Sequence, residues 1–515
     1  MSNVIIIGGG HNGLVAAFYL ARAGYKPLVL ERRNEVGGGA ITTEIHPGFL
    51  APALSHECRV EKQIVRDMEL GRQGLELLEA DERVFAPSGD RTAVLLGHGD
   101  GMSKGLASRD LEALAAFRTA ISRTASVLEP ILTAPPPDIE NPGAQDLLNL
   151  LKAGKRFRDL GKQDGYRLLR WLSMPVSDLM EEWFESDLLR SAMAAPSLSG
   201  TMFGPRSAGS ALLLLIRHAC DQLAGGPMHV RGGPGALTRA LSAAARAAGA
   251  EIRTGTSVER ILVQQDQVRG VVAGSGEEIP GRLVVSAVDP ATTFRTLMDA
   301  ADLTPDFNAK ILNYRASGTV AKVNLALTAF PSFGVDPDAL MGRIHIGPEL
   351  DYMERAFDHA KYGELSSEPW LDVRIPSILE PDLAPPGCHV ASIYAHYAPR
   401  RLRGADWGQT RTTLLDRTLN VLERHAPGLR SRVAAAQVFT PEDLERDHGF
   451  HGGHIYHGEL ALDQLFTMRP LLGFARYRSP IRGLYLCGAG THPGGLMSGT
   501  SGRLAAREIA KDKAI

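Results

Sequence analysis

Close to the amino terminus, one run of residues leaves little freedom in how the chain can fold. Val4-Ile5-Ile6-Ile7 is short, wholly apolar and β-branched, as expected of a parallel strand buried on both faces. It feeds Gly8-Gly9-Gly10-His11-Asn12-Gly13, a G-x-G-x-x-G, after which residues 14–23 read as a helix closed by Gly24. Residues 25–30 read as a second, mostly apolar strand, and Glu31 stands at its end, 23 positions after Gly8. Each part has a task in a dinucleotide fold. Gly8 permits the tight turn, Gly10 lets backbone approach a pyrophosphate, and Gly13 lets the helix pack against the strand. The helix amino terminus faces the phosphates, and Glu31 accepts hydrogen bonds from the adenosine ribose. A lone glycine motif is weak, but strand, loop, helix, strand and acid in register are specific. Arg32 and Arg33 would suit a ribose 2′-phosphate, yet the Glu31 carboxylate would repel one. Those arginines read instead as solvated or resting on the adenine face.

The 55 glycines are dense at four places, residues 8–10, 37–39, 232–235 and 488–502. Gly37-Gly38-Gly39-Ala40 begins six residues after Glu31. A nicotinamide dinucleotide does not need this second glycine loop, whereas the longer FAD crosses back over it. Near the carboxyl terminus, residues 483–487 read as a strand opening into Gly488-Ala489-Gly490-Thr491-His492-Pro493-Gly494-Gly495, followed by a helix over 501–511. That repeats the strand, glycine loop and helix start that suit phosphate or ribityl oxygens. Between them, Arg231-Gly232-Gly233-Pro234-Gly235 precedes a helix over 236–248 and strands at 252–254, 258–264 and 268–273. The last two form a hairpin about Gln265-Asp266-Gln267, and residues 283–287 return as a buried strand. No second complete G-x-G-x-x-G follows a strand, which favours one tightly held FAD. The candidate cofactor contacts are Gly8, Gly10, Asn12, Gly13, Glu31, Arg32, Gly38, Gly39, Val258, Gly488, Gly490 and Met497.

On these residues the sequence resembles the phytoene desaturase-like branch of the FAD-dependent oxidoreductases. The segment His451-Gly-Gly-His-Ile-Tyr-His-Gly-Glu459, with Leu462-Asp463-Gln464-Leu465, resembles the subgroup named for pyridine nucleotide-disulfide oxidoreductase domain-containing protein 2. The likeness is carried by roughly the first 60 residues, 230–290 and 440–515. It implies an α/β architecture: a Rossmann-type FAD-binding domain of the glutathione-reductase-like kind, interleaved with a mixed α+β substrate domain. The expected division is FAD-binding at 1–75, 226–295 and 441–515, and substrate-binding at 76–225 and 296–440. The implied chemistry is desaturation, or the reverse, of a hydrophobic, isoprenoid- or lipid-like substrate by hydride transfer to flavin N5. Members of the branch commonly place Arg after the Gly-Gly of the second loop, where this chain has Gly39. That departure bears on carotenoid desaturation and leaves FAD binding intact.

The remaining composition mostly excludes. A formal charge of −2, with no long run of one sign at either end, argues against nucleic-acid binding. The four cysteines lie far apart, without C-x-x-C, which excludes a local redox disulfide and a ribbon-type zinc site and favours a reduced, cytoplasmic chain. No apolar run approaches the ~18–20 residues of a membrane span. Residues 75–225 and 295–440 read as largely helical, with strands around Val320–Leu327, and residues 192–206 read as a loop at the substrate entrance or as structural. In residues 146–162, Leu147, Leu148, Leu150 and Leu151 precede Lys152, Lys155, Arg156, Arg158 and Lys162. One reading is an interfacial helix making peripheral membrane contact. The favoured one is a core helix with a solvated basic end, because such segments abound in soluble proteins.

Catalytic candidates are fewer. His448, His451, His454 and His457 recur every three residues. Flexible Gly449, Gly452 and Gly453 would not fix zinc geometry, so no metal is expected. His454 or His457 suits an acid/base or hydrogen-bonding role beside the flavin, with packing in a glycine loop equally open. His56 is a further candidate. A flavin amine oxidase, a non-redox flavin-dependent isomerase and an FAD-stabilised binding protein stay open beside the dehydrogenase. The sequence leaves the oligomeric state undetermined.

Overall fold

In the computed structural model, which describes residues 4–55, 58–78, 83–89, 92–97, 103–496 and 499–512, the founding unit is β1 (Val4–Ile7), α1 (His11–Arg22) and β2 (Pro27–Leu30). The chain then leaves through β3 (Val84–Pro87) and β4 (Ala93–Leu96). Helices follow: α2 (Ser108–Ala125), α3 (Ala144–Asp159), α4 (Gly161–Trp171), α5 (Asp187–Leu198) and α6 (Ser210–Ala224). It returns by α7 (Gly233–Ala247), β5 (Glu251–Arg253) and β6 (Leu283–Ser286). A second excursion lays down β7 (Val320–Leu327), β8 (Arg343–Ile346), β9 (Trp370–Arg374), β10 (His389–His396) and β11 (Val433–Phe439). The last pieces are β12 (Leu484–Leu486) and α8 (Thr500–Lys511).

Two sheets organise these pieces. The first is parallel throughout, in the order β12-β6-β1-β2-β5, so its strands come from three separate stretches of chain. It is covered on both faces, which is why β1 is apolar at every position. Val4 and Ile6 join the core under α1, α7 and α8, while Ile5 and Ile7 join the opposite core with Ile261, Val271 and Phe294. The small antiparallel sheet of Val258–Gln264, Gln267–Ala273 and Glu278–Pro280 covers that second face. Its first hairpin turns through Gln265 and Asp266, both left-handed with φ of 53° and 55°, as a two-residue hairpin turn requires.

The second sheet has seven strands, ordered β11-β7-β10-β9-β8-β3-β4. It corrects the reading of residues 295–440 as largely helical, since that stretch supplies five of the seven strands. The central strands β7, β8, β9 and β10 are mostly buried on both faces, and all eight residues of β7 are buried. The solvated face that marks a strand in a sequence is therefore missing. Residues 192–206 are likewise helical as far as Leu198, where α5 ends.

Helix α3 overturns the core-helix reading of its leucines. Leu147, Leu148, Leu150 and Leu151 are 51, 45, 50 and 70% exposed, and the helix is held by polar contacts instead. Asp146 caps the Gly143 N–H and pairs with Arg476 at 2.8 Å, and Arg156 binds the Ser126 carbonyl and Glu129. Among the described residues no helix is long and apolar enough to cross a membrane. All four cysteines are unpaired.

Candidate functional site

A cavity of about 410 Å³ opens at the carboxyl end of the parallel sheet and runs across to the seven-stranded sheet. Its first end is built from backbone. Gly8 takes a left-handed φ of 97°, and a Cβ added to Gly13 would lie 2.2 Å from the Gly8 carbonyl oxygen. Helix α1 can approach β1 only because that Cβ is missing. A Cβ on Gly10 would meet no atom within 4 Å, so Gly10 faces open cavity. The second glycine loop packs directly on the first, with the Gly37 N–H donating to the Gly9 carbonyl at 2.9 Å.

Glu31 locks this arrangement. Its Oε2 accepts the Gly9 N–H at 2.7 Å and its Oε1 accepts the Arg33 N–H at 2.9 Å. A carboxylate offers about four lone-pair sites, so two remain for ribose hydroxyls. Arg32 donates to the Asp447 carbonyl at 2.7 Å, and Arg33 reaches His448 Nδ1 at 3.3 Å and the Gly38 carbonyl at 3.4 Å. Both arginines thus tie the end of β2 to the histidine-bearing segment. The Asn12 side chain accepts the Gly499 N–H at 3.0 Å, drawing α8 against α1.

The wall fits a polar, dinucleotide-shaped guest. Among the described residues, His11 Nε2, His448 Nε2 and His457 Nδ1 are buried on it without a hydrogen-bond partner, and buried polar atoms are normally satisfied. Burial lowers the pKa of all three rings, to about 4 for His11 and His448, so they are neutral at pH 7. With Gly10 open toward the cavity and Glu31 keeping acceptor capacity, these residues suit FAD: Glu31 at the ribose, and Gly10 with the start of α1 at the pyrophosphate.

Of the sequence candidates, Gly8, Gly10, Asn12, Gly13, Glu31, Arg32, Gly38, Gly39 and Val258 line this cavity together, as does His457. Gly488 and Gly490 stand behind the wall. A Cβ on Gly488 would lie 2.6 Å from the Ala287 carbonyl oxygen, and one on Gly490 would lie 2.3 Å from Pro290. They let the carboxyl-terminal loop pack closely, while Ala489, Gly495 and Leu496 reach the cavity. His454 is also behind the wall, fully buried, accepting the Tyr456 N–H at 3.2 Å with Nε2 3.6 Å from Glu459. His451 lies 3.7 Å from Glu445 and away from the cavity. Among the described residues no three His, Cys, Asp or Glu side chains are grouped to hold a metal. His56 and Met497 lie outside the described residues. Gly39, where the branch carries Arg, is pressed by Phe450: a Cβ there would lie 2.9 Å from that ring. Phe450 occupies the space an arginine would need.

Sequence reasoning missed two features. The first is Arg469, fully buried, whose guanidinium gathers the carbonyls of Tyr456, Gly458, Glu459, Gln464 and Ala489 at 2.9–3.4 Å. It welds the histidine-bearing loop to the carboxyl-terminal glycine loop. The second is the far end of the cavity, lined by Ser55, Arg59, Ser199, Arg217, Asp372, Arg374, Tyr394 and Tyr456. Its signal was present as alternation: Lys322-Val-Asn324, Asp372-Val-Arg374 and Ser392-Ile-Tyr394 read polar, apolar, polar.

Comparison with known proteins agrees with this geometry. The family model described as FAD dependent oxidoreductase matches residues 3–508. Pyridine nucleotide-disulfide oxidoreductase domain-containing protein 2 of Rattus norvegicus is 35% identical, over 99% of this chain and 93% of its own length. A lycopene-forming phytoene desaturase of Pantoea ananas is 25% identical over 98% of this chain and 97% of its own. Among solved structures, an oxidoreductase from Methanosarcina mazei superposes with a TM-score of 0.64, covering 99% of this chain and 100% of that one. At 16% identity, that likeness speaks to the fold alone.

Proposed function

The chain belongs to the FAD dependent oxidoreductase family, and on that premise we propose that it is a dehydrogenase that desaturates an apolar substrate. The observation that carries the reading is the continuity of the cavity, which passes from the glycine-built end into a second chamber lined by side chains. When bound, FAD supplies a two-electron acceptor. The protein's share is orientation, exclusion of water and disposal of a proton. Leu54, Phe450, Ile455 and Leu496 are apolar residues lining the same cavity, and they keep water from an apolar guest. His457 lies on the same wall with its Nδ1 unpartnered among the described residues; burial lowers its pKa, so at pH 7 the ring is neutral and faces the cavity as a weak base. Tyr314 fixes this residue by donating its hydroxyl to the His457 carbonyl at 2.6 Å. The phytoene desaturase relative supports removal of hydrogen from a carbon–carbon bond.

Anaerobic mixing of the yellow holoprotein with polyenes, lipids and amines tests the reading. Bleaching of the flavin spectrum by an unsaturated or saturated hydrocarbon chain is expected. Bleaching by amines alone would replace this reading with amine oxidation, and turnover only after prior reduction would replace it with isomerisation.

Such substrates reside in lipid, and α3 offers a contact. Its outward leucines lie on the same helix as Lys152, Lys155 and Arg158, complementary to an anionic bilayer surface. Sedimentation with phosphatidylglycerol vesicles is the check. Leu147→Glu combined with Leu151→Glu should release the protein at least about tenfold, and unchanged binding would remove the membrane from the account.

A further inference from the structure

Strands β9 and β10 pair near the middle of the seven-stranded sheet, and alternate residues on them divide between two faces. Leu371, Val373 and Ile393 enter an apolar core. Trp370 and Asp372 lie on the other face, opposite His396 and Tyr394. The Trp370 and His396 rings stack, with centroids 3.8 Å apart and planes within 7°. That stack fixes His396, whose Nε2 lies 3.2 Å from the Oγ of Ser199, just beyond the end of α5. The Ser199 carbonyl accepts the Tyr456 hydroxyl at 3.1 Å, which holds the residue from its other side. Ser199 and Asp372 are thus set by successive pairs on one face of the sheet, and both line the cavity.

Neither side chain has used its hydrogen-bonding capacity. Among the described residues Asp372 makes no hydrogen bond, and its ion partner Arg343 stands 4.0 Å away. The Asp372 side chain is 15% exposed on an inner strand, and the space it meets is the cavity it lines. A carboxyl group withdrawn from water without hydrogen bonds is costly. Burial accordingly raises its pKa, against the pull of Arg343, Arg217, Lys322 and Arg59. Ser199 Oγ carries one donor and two lone pairs, and His396 engages one of the three. Burial lowers the His396 pKa to about 3, so the ring is neutral and one nitrogen carries the proton. With that proton on Nε2, Ser199 turns its O–H to the cavity; with it on Nδ1, Ser199 turns its lone pairs there.

We propose that Asp372 and Ser199 form a hydroxyl-recognition site, so that the substrate is an apolar alcohol: its hydroxyl pairs with Asp372 and Ser199 while Leu54, Ile455 and Leu496 take the hydrocarbon. A hydroxyl both donates and accepts, so it satisfies Ser199 with either His396 tautomer and donates to Asp372 in the same pose. An ammonium group only donates, an ether only accepts, and a bare hydrocarbon leaves Asp372 without a hydrogen bond. The hydroxyl serves as a handle, and no bond to it is made or broken. This rests on reading the chamber as the substrate end, and it narrows the substrate class to alcohols.

Calorimetric titration of the FAD-loaded protein with straight-chain 1-alkanols from hexanol to decanol, each beside its methyl ether and the amine of the same length, tests the site without turnover. At least one alkanol should bind about tenfold or more tightly than its ether and its amine. Asp372→Asn and Ser199→Ala should each weaken that alkanol roughly 3- to 10-fold while FAD stoichiometry and ether binding stay as they were. If no alkanol outbinds its ether, if the amine binds as tightly as the alkanol, or if both variants keep alkanol affinity, the hydroxyl site is overturned. Should either variant fail to fold, the wild-type comparison of alcohol with ether and amine decides. Flavin bleaching by neutral hydrocarbons, with no preference for alcohols, would overturn this site and leave the dehydrogenase standing. Alcohol binding without bleaching by any chain would do the reverse.

Discussion

The two ends of the cavity are made from different materials. The end under the parallel sheet is backbone: Gly8, Gly10, Gly13, Gly37 and Gly38 shape it, and Glu31 holds backbone N–H groups in place. The end under the seven-stranded sheet is side chain, assembled from Arg59, Arg217, Asp372, Arg374 and Tyr394. Backbone recognition demands local geometry, so its residues sit within one stretch, from position 8 to position 38. Side-chain recognition demands only that different elements converge. Its residues are scattered from position 59 to position 394.

That difference gives the largest effect a substitution should have. Gly13→Val places a Cβ 2.2 Å from the Gly8 carbonyl oxygen, and neither backbone can yield without parting α1 from β1. A loss of more than about 4 kcal/mol is expected, seen as missing soluble protein or a collapsed thermal transition. Gly10→Val should behave in the opposite way. Gly10 has an extended backbone, φ −70° and ψ 170°, that any residue adopts, and its Cβ would enter open cavity. The protein should fold with little change in melting temperature and emerge colourless, because the valine fills the space of the pyrophosphate. Full flavin occupancy in Gly10→Val would break the assignment of this end to the cofactor.

The same contrast explains what could be read from the sequence. The founding strand–helix–strand unit was legible because its parts repeat known spacings over a short stretch, and the observed β1, α1 and β2 fall within a few residues of the reading. The carboxyl-terminal glycines were legible as a close-packed loop but not in their individual tasks. Whether a glycine faces open cavity, like Gly10, or a neighbouring carbonyl, like Gly488 against Ala287, depends on what distant chain packs beside it. The histidines are a related case. Their spacing left a role beside the flavin and packing in the loop equally open for His454 and His457, and the left-handed turns at Gly452 and His457 accompany the split, with His454 in the core and His457 at the cavity. Arg469 had no local signature, since its meaning is the five carbonyls that surround it. The strands of the second sheet did carry alternation, but their polar side faces a cavity instead of solvent, so the usual inference from alternation to an exposed face does not apply.

The smallest effect tests whether the two ends are separable. The Tyr394 hydroxyl donates to the Leu54 carbonyl at 2.6 Å, and Leu54 packs against Gly39 of the second glycine loop. This hydrogen bond joins the side-chain end to the backbone end. Tyr394→Phe removes it while keeping the ring 4.6 Å from Lys322 Nζ, so about 1 kcal/mol of stability should be lost by thermal or chemical denaturation. FAD occupancy should be unchanged, because the glycine end is fixed by its own backbone contacts. Tyr394→Leu also removes the ring beneath Lys322 and should cost roughly 1 kcal/mol more. If Tyr394→Phe strips the flavin, the hydroxyl is holding the cofactor end in shape, and the cavity must be treated as one unit instead of two.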